Sequence, residues 1–167
     1  MQFELKPLSP SAIPAALERA HRYRLLNEPS QAESICLDVL SIEPDNQTGL
    51  ITLLLAITDQ FGSDGTPARA REVLERLTGE YERAYYAGIV FERAARVSMR
   101  LSVPGAMFNA YDGFANAMQC YQEAEMLRPA DNDDSILRWN TCARTLMRHR
   151  GLQPEKIEVL QTVLDDY

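Results

Sequence analysis

Apolar residues recur along this chain at three- and four-residue steps, with polar runs between them, and the pattern predicts helices almost throughout. The segment from about residue 30 to 42 sets the type. Ala32, Ile35, Cys36, Val39 and Leu40 share one helical face, while Gln31, Glu33, Ser34, Asp38 and Ser41 occupy the other. Pro44 cannot continue that helix, because it has no N–H to give and its ring meets the preceding turn. The same reasoning places helices at about 11–27, 47–61, 67–77, 81–102, 114–128, 135–149 and 154–164. Their breaks fall at Glu28-Pro29-Ser30, Asp45-Asn46, the loop Phe61 to Pro67, Thr78-Gly79, Val103 to Gly113, Pro129 to Asp134, and Gly151. Residues 1–11 read as an extended lead-in whose Phe3, Leu5 and Leu8 are available to pack on the first helix. No strand pattern of useful length is present, so the expected class is all-α.

The helices fall into pairs that repeat. Small or apolar residues align as Ala16, Arg19-Ala20, Tyr23; Leu50, Leu53-Leu54, Ile57; Ala84, Ala87-Gly88, Phe91; and Trp139, Cys142-Ala143, Leu146. Thirty-four residues separate Ala20 from Leu54, and Leu54 from Gly88. The second helices align as Ala32, Cys36, then Pro44; Ala70, Leu74; and Ala117, Tyr121, Ala124, then Pro129. This resembles the tetratricopeptide (TPR) repeat, in which W-x2-L-G-x2-Y, A-x3-F and a proline recur with a 34-residue period. Small residues such as Ala20, Gly88, Ala143, Ala32 and Ala117 let paired helices approach, and Tyr23, Phe91, Tyr121 and Trp139 fill the gaps. The resemblance implies a right-handed superhelical solenoid of about eight antiparallel helices. Its repeats would span about 12–46, 47–79, 80–130 and 131–167, and the third would carry an insertion at 103–113. Two departures stand out: Leu54 takes a small residue's place, and 29 residues rather than 12 separate Gly88 from Ala117.

In TPR-like solenoids the first helix of each pair lines a concave groove that holds a protein segment. Mapped here, the resemblance offers Leu17, His21 and Arg24; Ile51, Leu55 and Thr58; Tyr85, Ile89 and Glu92; and Asn140, Arg144 and Met147. That groove would be apolar at its centre and polar or cationic at its ends, suiting an amphipathic segment with acidic ends. Met107, Phe108 and Tyr111 give the insertion three large apolar groups, which either plug the groove or reach a partner. The carboxylate clamp of one TPR subset is missing, since its places hold Leu17, His21, Thr52, Glu82 and Tyr86.

Charge and chemistry narrow the function classes. A net charge of −7 argues against nucleic-acid binding, which favours a basic stripe. The longest apolar stretch, Leu53 to Ile57, is far too short to span a membrane, and the N-terminus lacks a signal-peptide pattern, so a cytoplasmic location is expected. Three widely spaced cysteines on apolar helical faces suit buried thiols better than disulfides. Asp131-Asn132-Asp133-Asp134 lacks the glycine and glutamate of a calcium loop and suits helix capping. Arg144, Arg148, His149 and Arg150 suit a helix C-terminus, where cations are favoured, and also suit an anion. No phosphate loop, nucleophile elbow or paired-histidine metal motif appears. The expectation is a non-catalytic scaffold or adaptor with no metal and no cofactor, binding a protein or peptide, with no oligomeric state implied. The alternatives are a small acidic secretion-type chaperone, and an enzyme or ligand-sensing regulator that uses residues 103–113 as a lid.

Overall fold

The computed structural model describes residues 3–154. These form seven α-helices: α1 (Ile13–Leu25), α2 (Pro29–Ile42), α3 (Gln47–Asp59), α4 (Pro67–Leu74), α5 (Glu80–Ser98), α6 (Ala106–Leu127) and α7 (Asp134–Arg148). A short 3-10 turn, Pro10–Ala12, leads into α1. No β-strand occurs among the described residues, where the one bridge is Phe61 with Gly65. The eighth helix expected at 154–164 lies outside the described residues but for Pro154, which is in no helix.

Local chemistry explains most boundaries. Pro14, Pro29 and Pro67 stand in first turns, where a missing N–H costs nothing. The Asn46 side chain accepts a bond from the Gly49 N–H at 2.8 Å, and Thr66 does the same for Arg69 at 3.3 Å. Asn27 takes a positive φ of 60° to turn the chain between α1 and α2, a conformation asparagine tolerates. α2 stops just before Pro44 and α6 just before Pro129. At the start of α7 the Asn132 carboxamide oxygen accepts from the Asp134 N–H at 3.0 Å, while the N-cap residue Asp133 makes no side-chain capping bond and pairs with Arg128 instead.

The segment 103–113 is not a loop. α6 begins at Ala106, eight residues ahead of the expected start, and only 99–105 separate it from α5. Gly105, at φ 80°, turns the chain into the helix, and Ala106 and Ala110 bury the face that follows. Asp112-Gly113 looks like a break in sequence, but Gly113 lies close against α5: a Cβ there would stand 2.8 Å from Ala95 Cβ. The extra residues therefore lengthen a helical hairpin. α5 and α6 have 19 and 22 residues, against 13 to 14 in the first three helices. α4 ends at Leu74, short of the expected Leu77, and has only 8 residues, although Leu77 itself is buried.

Each helix packs on the next along the chain, and α3 also touches both α1 and α5. Two apolar cores result. Ala20, Ala32, Cys36, Leu50, Leu54 and Ala70 belong to the first, built mainly from α1 to α4. Ile89, Ala110, Phe114, Ala117, Tyr121 and Cys142 belong to the second, built from α5 to α7 and closed by Leu152. Leu55 and Tyr86 pack against both and join them. Leu54, the departure in the second pair, is fully buried.

Candidate functional site

Because α3 touches α1 and α5 directly, these alternate helices present neighbouring surfaces, and the residues expected to face a partner can be placed on them. Leu17 and His21 of α1 line a cavity of about 620 Å³ with Thr48 and Thr52 of α3. His21 is exposed and Leu17 half-buried. At the far end, Arg144 of α7 lines a second pocket with Arg96 and Met99 of α5. Asn140 is half-buried on α7 and Met147 is 76% exposed.

The centre differs from the apolar strip expected. Arg24 Nε donates to Asp59 Oδ2 at 2.7 Å, and Arg93 pairs with the other oxygen of the same carboxylate. Arg93 also donates to the Leu55 carbonyl at 3.1 Å and to the Thr58 hydroxyl. Asp59 thus ties α1 to α5 across α3. Burial lowers the Arg93 pKa from its ordinary value, while Asp59 opposes that shift. Ile89 is 2% exposed and lies inside the second core, so it is not available to a partner. Ile51, Leu55 and Tyr85 are half-buried against the cores and serve as walls. Sequence spacing carried no sign that arginines would cross from neighbouring helices to cover the middle.

Glu92, another residue mapped to the groove, is 1% exposed. Tyr121 Oη donates to its Oε2 at 2.8 Å, Arg96 Nη2 to its Oε1 at 2.8 Å, and Arg138 lies 3.5 Å from Oε2. One carboxylate on α5 thereby anchors α6 and α7. Burial, reinforced by Glu92, holds the Tyr121 phenol protonated far above its ordinary range. Burial opposes the charge on Arg138, yet Glu92 and the neighbouring tyrosines leave its pKa raised. Tyr85 stacks with Tyr81 at 5.6 Å and meets Tyr86 edge-on at 5.2 Å beside this site. The group has the form of a structural anchor: every strong donor around the carboxylate is satisfied by it, and it is closed to solvent.

Met107 and Tyr111 pack into the second core from the first turns of α6, and Phe108 is 38% exposed. A lid made from 103–113 would have to unwind about two turns of helix. Sequence reasoning missed an outer groove of about 480 Å³. Ala87, Val90, Phe91 and Ala94 floor it, between Leu74 of the short α4 and Asn109 and Asn116 of the long α6. Its only signal in sequence was the unequal length of neighbouring helices.

The cysteines behave as core residues. Cys36 and Cys142 are fully buried, and burial pushes both thiols up to about 12; Cys120, less buried, is pushed up to about 11. Among the described residues no group of three or more His, Cys, Asp or Glu side chains is placed to hold a metal ion, and no helix is long and apolar enough to cross a membrane. In comparisons with protein-family models, curated proteins and solved structures, the chain matches none.

Proposed function

We propose that the protein is a non-catalytic, TPR-like adaptor that holds a segment of another protein along the face shared by α1, α3, α5 and α7. The observation that supports this reading is the direct contact of α3 with both α1 and α5, which sets these three alternate helices side by side. Open pockets at the two ends of that row, one with Leu17 and His21 and the other with Arg144, are its contact points. The Arg24–Asp59–Arg93 bridge between them offers polar edges and no deep apolar slot. A bound segment therefore places its apolar and acidic side chains at the ends and crosses the middle in shallow contact. A cytoplasmic location agrees with three unpaired cysteines.

The test is affinity capture from native extract, compared across variants by quantitative mass spectrometry. Leu17→Asp and Arg144→Glu are each expected to lose the same interactor while thermal unfolding stays cooperative. An interactor retained at full yield by both variants places binding elsewhere.

A further inference from the structure

The pocket between the C-terminal ends of α5 and α7 gathers three arginines and a histidine. It encloses about 330 Å³ and is lined by Arg96 and Met99 of α5, by Thr141, Arg144, Thr145 and Arg148 of α7, and by His149. Every charged or titratable group of that lining is basic, in a chain whose net charge is −7. Arg96 is committed to Glu92, but Arg144 and Arg148 form no ion pair among the described residues. Cations near a helix C-terminus gain modestly from its dipole, which accounts for Arg144 and Arg148 singly. It does not account for the two of them lining one concavity without an ion pair, beside an Arg96 that Glu92 already neutralises.

From this we infer that the α5–α7 pocket is a recognition site for carboxylate side chains, engaging an acidic stretch of the partner segment through Arg144 and Arg148. The two arginines stand one helical turn apart on α7, so their guanidinium groups can grip successive acidic residues. The inference rests on the adaptor reading and specifies the chemistry of one end of its groove.

The probe is an acetylated, amidated hexaglutamate peptide, with hexaglutamine as its neutral counterpart, titrated into the isotope-labelled full chain at low salt. Saturable shifts are expected at the Arg96, Arg144 and Arg148 side-chain Nε resonances, and none with hexaglutamine. R144Q/R148Q is expected to weaken hexaglutamate binding about tenfold or more, as loss of two charge-assisted donors implies, with melting unchanged. Equal weakening by R19Q/R22Q, which removes a basic pair on α1, overturns the inference by showing attraction without a site. Unaltered affinity in R144Q/R148Q overturns it as well. So does a tenfold gain on neutralising Glu155, Glu158, Asp165 and Asp166, because the chain's own acidic C-terminus is then the occupant. If hexaglutamate fails while Leu17→Asp still abolishes capture of the interactor, the pocket inference falls and the adaptor reading stands.

Discussion

The ring of Tyr121 lies against the backbone of Gly88, so closely that a Cβ on residue 88 would stand 2.4 Å from Tyr121 Cε1. The same ring carries its hydroxyl to Glu92, one turn further along α5. The absence of a side chain at 88 and the hydrogen bond at 92 are thus one arrangement. Gly88→Ala is expected to push the ring aside and weaken that bond, costing about 1–3 kcal/mol as overpacking does. Chemical denaturation with unchanged m-value is the measurement; a cost below about 0.5 kcal/mol would mean the ring has room to move.

Glu92→Gln tests the anchor from its other end. Arg96 and Arg138 are both more than a third exposed on their side chains and can turn to water, so breaking their ion pairs costs little. Tyr121 has no such escape, being fully buried. The expected loss is therefore set by weakening of the phenol's charged hydrogen bond, about 1–3 kcal/mol. Tyr121→Phe in the Glu92→Gln background should then add little, which a double-mutant cycle reads directly.

Two orphaned groups on α7 give the opposite sign. Ser135 Oγ and Trp139 Nε1 are buried without hydrogen-bond partners among the described residues. Ser135→Ala removes a buried hydroxyl with no protein partner among the described residues, so it is expected to leave stability unchanged or raise it by up to about 1 kcal/mol. Trp139→Phe sheds an unpaired N–H and should cost clearly less than Trp139→Ala. The alanine variant is expected to lose about 2–3 kcal/mol, since the half-buried ring gives up less than a fully buried one. Thermal melts of the three variants order these effects.

What the sequence made legible and what it hid divide on physical lines. Spacing of Ala20, Ala32, Gly88 and Ala117 marked where helices come close, because small residues are needed only at crossings, and all four are buried, whereas Ala143 is only half-buried. Prolines at 14, 29, 44, 67 and 129 marked helix ends, because proline acts on its own local backbone. Gly113 misled for the same reason that Gly88 informed. A glycine reads as a break unless one knows what lies beside it, and Ala95 is 18 residues away. The central ion bridge was hidden because Arg24, Asp59 and Arg93 meet only through the packing of three helices. Ile89 was placed on the partner face by helical spacing, but the long α5–α6 hairpin turns that position into core.

Alkaline pH should expose the buried thiols. The pKa values of Cys36 and Cys142 stand at about 12 in the folded chain, above the ordinary thiol value of 9.0. Folding therefore favours their protonated forms, and the associated stability is complete below pH 9 and is lost as pH rises from there toward 12. The slope approaches about 1.4 kcal/mol per pH unit for each thiol. Denaturation at pH 8, 9 and 10 should show it, with C36A/C142A flatter than the parent. At pH 8 a thiol reagent should label Cys120 well before Cys36 or Cys142, because only Cys120 retains exposure.

Site-specific photo-cross-linking from three positions in native extract tests the adaptor reading most directly. A photoreactive residue at Glu18, beside Leu17, and one at Thr145, beside Arg144, line the pockets at the two ends of the proposed binding face; one at Phe91 lies in the outer groove. The account predicts that the positions at Glu18 and Thr145 join the same protein and that Phe91 does not. Cross-linking from Phe91 alone would contradict it and move binding to the groove between α4 and α6.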